Sequence, residues 1–180
     1  MDKNIVKYCA PTLAGIKTGS LFRGNFRDKR EILASFRRWN GIFRENGLRA
    51  VPFENKRGDI LVYIYRTSQL SCDLNRPMAR DILTHRGYSP EFPEKCVKRL
   101  SERVCENCEF PHEIGLFLGY PPEDVRGFIE KSDCRFSGAW KVYGDVESAK
   151  KQFSQFKKCT EIYSRLYEKS RSIERLCVLR

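Results

Sequence analysis

The sequence has no long apolar stretch, no internal repeat and no low-complexity linker. No apolar run among its 180 residues approaches the ~20 residues that a membrane-spanning helix needs. Its first residues lack the apolar core and small-residue cleavage site of a secretory signal. We therefore expect a cytoplasmic protein that does not bind membranes, folded as one domain over residues 1–180.

No disulfide framework can be recognised among the eight cysteines, because their spacing is irregular. In the cytoplasm they are expected to be thiols. The net charge of +11 suggests nucleic acid as a partner. However, the sequence has no basic tail, and acidic residues interrupt every basic region. The charge is equally typical of a basic, solvated surface, so nucleic-acid binding is disfavoured.

The pattern of apolar residues predicts an α+β fold. A helix capped by Asp28 is expected to run to about Asn46. A β-hairpin is expected over residues 48–53 and 60–65, whose second strand is apolar throughout and should be buried on both faces. We predict about four strands in a mainly antiparallel sheet covered by helices.

The remaining elements follow from capping and breaking residues. Pro11 and two glycines predict loop or strand, rather than helix, over residues 11–22. Helical pattern resumes at Ser68, and a long final helix is capped by Asp145. Pro77 is expected to divide the helical segment that begins at Ser68, and Pro93 to start another helix. Short strands are predicted at residues 140–143 and 173–179.

The densest set of special residues lies at 110–129, which predicts two short helices joined by a tight turn. The spacing matches a helix-turn-helix motif. The second helix would present acidic Glu123 and Asp124 to DNA, with Arg126 as its one obvious base reader. The full predicted groove face is Pro122, Glu123, Asp124, Arg126, Gly127 and Glu130. We therefore interpret the motif as a packing unit rather than a DNA-binding element.

A thiol site is one interpretation of two special segments. Cys9 precedes a proline-containing turn where backbone amides and Lys17 could lower its pKa. His112 would act as base, and Glu113 would orient it. A pair of cysteine and histidine is the minimal unit for nucleophilic catalysis by a thiol. The alternative is a buried structural cysteine and a histidine that caps its own helix.

Ligand-binding candidates are Lys17, Tyr120, Lys141 and Tyr143, of which the lysines would hold an anionic group. Residues 15–20 resemble a phosphate loop weakly, since the spacing of that motif is absent. If the strands at 60–65 and 140–143 are neighbours, their aromatic residues would line a pocket. That set is Tyr63, Tyr65, Trp140, Lys141 and Tyr143.

A zinc site is a weaker alternative. Cys105, Cys108 and His112 have the spacing of half a site. The fourth ligand would have to come from Cys96, Cys134 or Cys159. A redox dithiol is a rival use of the cysteine pair. We name no cofactor.

The chain resembles a family of small cytosolic proteins of anaerobic bacteria that is classed as a domain of unknown function. The resemblance rests on residues 9–19, 61–66, 110–121, 140–144 and 158–160. The run FPHEIGLFLGYP at 110–121 is its most specific part. The resemblance implies a single domain. It also implies that Cys9 and His112 belong to motifs of the family, whereas the cysteine pair at 105 and 108 does not. It implies no catalytic role.

Three hypotheses for function follow. The first is a thiol-based enzyme or a domain that processes a small anionic ligand. The second is a binder of nucleic acid or protein that uses the helix pair and the basic surface. The third is a metal- or cofactor-binding protein. The sequence leaves open whether the protein is an enzyme.

Overall fold

Eight α-helices and five strands form the part of the chain that the structure, a computed structural model, describes: residues 1–106 and 110–178. In chain order they are α1 Asp2–Leu13, β1 Gly19–Arg23, α2 Lys29–Phe43, β2 Leu48–Glu54, β3 Ile60–Arg66, α3 Thr67–Leu74, α4 Pro77–Thr84, α5 Pro93–Glu106, α6 Ile114–Phe117, α7 Pro122–Ile129, β4 Phe136–Ser137, β5 Lys141–Val142 and α8 Val146–Ser170. The predicted α+β class and the short helix pair, α6 and α7, are confirmed.

The main sheet has three antiparallel strands in the order β1-β3-β2. Its central strand, β3, is buried on both faces, as its apolar sequence predicts. Leu61, Tyr63 and Tyr65 face a front core formed with α3 to α7. Val62 and Ile64 face a back core formed with α1, α2 and the C-terminal segment. Helical layers therefore cover both faces of the sheet.

Large apolar side chains fill both cores. In the front core, fully buried residues from the helices include Leu70, Leu74, Leu83, Leu100 and Phe117. In the back core they include Ile5, Leu13, Trp39 and Phe43. Each such side chain stabilises the fold by about 1.5–3 kcal/mol relative to exposure. No described helix combines the length and apolar character that crossing a bilayer would require.

Side chains of α2 protect the outer edge of β2. The Asn40 side-chain amide donates to the Ala50 carbonyl at 2.9 Å, and its oxygen accepts from the Ala50 N–H at 2.8 Å. Pro52, further along the strand, has no N–H to offer. The edge therefore has few groups left to pair with another strand.

The structure corrects three predictions about elements. α1 continues through Pro11 to Leu13, because a proline in the last turn removes a single backbone hydrogen bond. Residues 140–143 do not join the main sheet, since β5 pairs with β4 in a separate two-stranded ribbon. A 3₁₀ turn at Glu174–Leu176 replaces the strand predicted at 173–179, of which Leu179 lies outside the described residues.

A buried arginine joins the end of β3 to three other segments. The Arg66 guanidinium donates to the carbonyls of Thr12 at 2.7 Å and Leu13 at 2.5 Å, at the end of α1. It also donates to the carbonyl of Val178 at 2.8 Å and to that of Asn46 at 3.4 Å. The carbonyls of Thr12 and Leu13 also accept from the backbone N–H groups of Gly15 and Val178. The guanidinium therefore adds charge-assisted hydrogen bonds to carbonyls at a helix end and ties three segments together.

Replacing Arg66 by methionine is expected to lower the free energy of unfolding by at least about 3 kcal/mol, because buried carbonyls lose charge-assisted hydrogen bonds. The control is Arg49→Met on β2, whose side chain is half exposed and lies 3.8 Å from Glu94. That variant should lose less than about 1 kcal/mol. Urea unfolding followed by circular dichroism measures both, and equal losses would contradict the role assigned to Arg66.

Candidate functional site

The segment at 110–121 meets the start of β1 at a close backbone contact. A Cβ atom on Gly19 would lie 2.5 Å from the carbonyl oxygen of Phe117. A Cβ on Gly119, whose φ is +77°, would lie 2.5 Å from Thr18 Oγ1. The Tyr63 hydroxyl donates to the same Phe117 carbonyl at 2.7 Å. Glycine is therefore required on both sides of this contact.

A buried carboxylate anchors the start of that segment. Glu113 Oε1 accepts from the Tyr88 hydroxyl at 2.9 Å and lies 2.9 Å from Arg103 Nε. Its other oxygen is 3.3 Å from Arg86 Nε. Burial, together with the Glu113 charge, raises the pKa of Tyr88. The structure thus pairs Glu113 with two arginines and a tyrosine, and it does not place the carboxylate as the orienting partner of His112.

A second buried carboxylate, Asp124 on α7, fixes the segment that follows β4. One of its oxygens accepts from the backbone N–H groups of Tyr143 at 2.7 Å and Gly144 at 2.8 Å. The other accepts from the Trp140 indole N–H at 2.8 Å. The sequence analysis missed this role, since it considered Asp124 only as a carboxylate that would oppose DNA binding. The signal that could have found it is a carboxylate placed among the apolar positions of a short helix.

These contacts show how the helix pair uses the face that a DNA-binding motif would present to a groove. Pro122, Asp124 and Gly127 are buried. A Cβ on Gly127 would lie 2.5 Å from the Tyr143 ring, so this face packs against the segment around β5. Arg126, the predicted base reader, pairs with Asp81 at 2.6 Å. The face assigned to a DNA groove is therefore largely a packing surface.

An aromatic pocket of about 500 Å³ opens where these segments meet. Its lining consists of Phe110, Pro111, His112, Ile114, Gly115, Tyr120, Asp124, Val125, Phe128, Ala139, Trp140 and Lys141. The Tyr120 and Trp140 rings stack with centroids 4.6 Å apart and planes inclined by 24°. Trp140 also meets Phe153 of α8 edge-on at 4.4 Å. The pocket is mostly apolar, and its aromatic wall is held from behind by α8.

Two exposed basic side chains flank one exposed ring at the mouth of the pocket. The imidazole of His112 meets the Phe128 ring edge-on, with centroids 4.9 Å apart. The ammonium group of Lys141 lies 5.5 Å from the centroid of the same ring. The structure therefore brings together three residues that the sequence predicted for a site, Tyr120, His112 and Lys141, in the lining of one pocket.

Lys17 lies behind the aromatic wall rather than in the described lining of the pocket. Its ammonium group is 5.6 Å from the Tyr120 ring centroid and 5.9 Å from that of Phe156. Burial lowers the pKa of Lys17. The backbone N–H groups of residues 15–17 donate to carbonyls of Pro11 and Thr12. These N–H groups are engaged within a turn that follows α1, so they do not form the open cradle of a phosphate loop.

Cys9 lies in the back core with no exposed surface. Burial raises the pKa of its thiol to about 12, although the Lys17 charge and a hydrogen bond with Ser20 oppose the shift. His112 is exposed and belongs to the segment whose Leu116 and Phe117 pack in the front core. The structure therefore does not bring Cys9 and His112 together, and a thiol buried in this way is chemically inert.

The remaining candidates are dispersed. Tyr143 packs against Gly127 and is not part of the described pocket lining. Tyr63 and Tyr65 stack on each other within the front core, with centroids 4.9 Å apart, and do not share a pocket with Trp140. This corrects the pocket predicted between two neighbouring strands, because β3 and β5 belong to separate sheets.

A larger cleft of about 1150 Å³ lies between the start of α2, the β2–β3 turn and the end of α5. Much of its lining is charged or belongs to turns, and its Arg23 and Asp59 pair with each other at 2.6 Å. Cys105 lines this cleft, whereas His112 lines the aromatic pocket. Cys108 lies outside the described residues. Within residues 1–106 and 110–178, no three metal-ligating side chains cluster.

The fold and the site define an α+β protein with a preformed aromatic pocket. The chain belongs to the family described as "Protein of unknown function (DUF3793)", which matches residues 5–177. No curated protein and no solved structure matches the chain. The function must therefore be argued from the pocket itself.

Gly119→Ala is expected to destabilise the protein more than Gly58→Ala by about 1–3 kcal/mol. Both glycines have φ near +80°, so both substitutions carry the strain of a left-handed backbone. Only at Gly119 would the new Cβ collide with Thr18, since nothing lies within 4 Å of a Cβ on Gly58. Urea unfolding of the two variants measures the difference, and equal midpoints would show that the close contact is absent.

The buried thiol of Cys9 predicts a loss of stability at alkaline pH. The folded state keeps the thiol protonated until about pH 12, whereas the unfolded chain ionises it near pH 9.0. The unfolded state therefore binds fewer protons in this window, and stability falls by about 1.4 kcal/mol per pH unit above pH 9. Below pH 9 the contribution is fully present.

Cys9→Ala removes this titration, so the difference in unfolding free energy between wild type and variant should shrink as pH rises from 9 towards 12. Cys72→Ala, which removes an exposed thiol on α3, serves as the control and should run parallel to wild type. Urea unfolding at a series of pH values gives both comparisons. A constant difference for Cys9→Ala would mean that this thiol is not buried.

Proposed function

We propose that the protein binds a small, largely apolar molecule in the aromatic pocket. The observation that carries the proposal is a cavity of about 500 Å³ lined by aromatic and aliphatic side chains from two separate segments. Ligand pockets in proteins are typically about 300–1,000 Å³ and mostly apolar, with a few polar groups that fix orientation. Here the polar groups at the mouth are His112 and Lys141.

The arrangement supports a pocket that exists before the ligand arrives. Glu113 is fixed by two arginines and a tyrosine, and it directly follows His112 in the chain. Asp124 holds Trp140 and the following backbone against α7. A preformed pocket avoids the cost of ordering side chains on binding, which favours affinity.

The first hypothesis from the sequence was a thiol-based enzyme or a domain that processes a small anionic ligand. The geometry favours ligand binding over thiol chemistry. A nucleophilic thiol has to reach its substrate as thiolate, whereas Cys9 is fully buried in the back core, outside the described pocket lining, with a raised pKa. Within the described lining, His112 is the residue suited to general acid–base work. Binding accounts for the pocket without requiring a reaction. The seven described cysteines are free thiols, which supports the cytoplasm as the proposed location.

The test uses a neutral aromatic probe, N-phenyl-1-naphthylamine, whose fluorescence rises in apolar surroundings. Wild type should bind it saturably at one site. Ala139→Trp, at an exposed position of the lining, should weaken binding at least about ten-fold by filling the pocket. The control is Ala34→Trp, which adds the same bulk at an exposed position of α2. Equal binding by both variants, or no saturable binding by wild type, would overturn the proposal.

A further inference from the structure

The polar groups that line the aromatic pocket differ in whether they already form hydrogen bonds within the protein. Asp124 is the only carboxylate in the described lining, and both of its oxygens already accept hydrogen bonds. The Trp140 indole N–H is the donor to one of them, so it too is engaged. The interior of the pocket therefore presents mainly apolar surface, and the cationic side chain of the lining, Lys141, lies at the mouth with His112.

Among the described residues, the basic groups at the mouth form no ion pair. No carboxylate in residues 1–106 or 110–178 lies within ion-pair distance of His112 or Lys141. The nearby Arg126, by contrast, pairs with Asp81. Lys141 and His112 both contact Phe128, so their positive and hydrogen-bonding groups lie on one rim. The net charge of +11 adds a favourable field for an anion.

We propose that the ligand is an amphipathic acid: a flat apolar body enters the pocket, and its oxyanion is held at the rim by His112 and Lys141. The inference rests on the proposed function, because it specifies what the same pocket binds. Lys141 supplies a charge-assisted hydrogen bond, and a ring N–H of His112 supplies another. The flat body packs against the aromatic wall of Tyr120 and Trp140, which favours offset-stacked rings.

Three ligands with the same naphthalene ring separate the outcomes: 2-naphthoate, its neutral isostere 2-naphthamide, and 2-naphthyl phosphate. Competition with N-phenyl-1-naphthylamine measures each affinity. Wild type should bind the naphthoate about ten-fold more tightly than the amide. A tighter phosphate would identify a phosphate ester as the natural class of ligand, and a tighter carboxylate would identify a carboxylic acid; either supports the inference.

The double variant Lys141→Met, His112→Gln should lose the preference and bind naphthoate and naphthamide equally. Both residues are exposed, so the fold should survive, and circular dichroism checks this. The control is Lys150→Met on α8. Its ammonium group also lies 5.5 Å from an aromatic ring, that of Phe136, but outside the described pocket lining. This variant should keep the preference for the acid.

The results distinguish the two proposals. If wild type does not bind the naphthylamine probe saturably, the proposed function fails and this inference with it. If the probe binds but neither naphthoate nor naphthamide displaces it, the inference alone is overturned. If both bind equally to wild type, the pocket is a ligand site but the acid is not recognised, and the inference alone is overturned. If the preference for the acid survives in the double variant, another cation holds the oxyanion, and the rim assigned here is wrong.

Discussion

The contact between β1 and the end of α6 is the constraint on which the site depends. Tyr63, in the centre of the sheet, donates its hydroxyl to the carbonyl of Phe117, while Gly19 lies against that same carbonyl. A side chain at Gly19 would separate the two backbones. The next residues, through Gly119, then place Tyr120 beside Trp140. The main sheet thus positions the aromatic wall of the pocket. None of its three strands contributes a residue to the described lining.

Elements specified by local chemistry were predictable. Asp28 and Asp145 accept hydrogen bonds from the first turns of α2 and α8, and both helices begin where these caps predict. The apolar run at 60–65 predicted a central strand, because only a strand covered on both faces tolerates such a sequence. The site was predictable only in part. His112 and Tyr120 were named from the density of special residues at 110–129. Lys141 was named from a pairing of strands that the structure does not contain.

What could not be predicted depends on contacts between distant segments. Glu113 was paired with its neighbour His112 because the two adjoin in sequence. Its partners are instead Arg86, in the turn after α4, and Arg103 on α5. Cys9 stood in a conspicuous motif, but nothing local shows that α1 buries its thiol in the back core. Burial and ion pairing decide chemical roles here, and both are properties of the tertiary fold.

The most direct test of a ligand site at the aromatic wall uses the indole N–H groups of the protein's two tryptophans in a ¹⁵N–¹H spectrum. The Trp140 indole donates to Asp124 at the pocket, whereas that of Trp39 donates to Asp2 from the back core. Titration with 2-naphthoate should move the Trp140 resonance saturably and leave that of Trp39 in place. An unchanged Trp140 resonance, or equal shifts of both, would contradict a ligand site in this pocket.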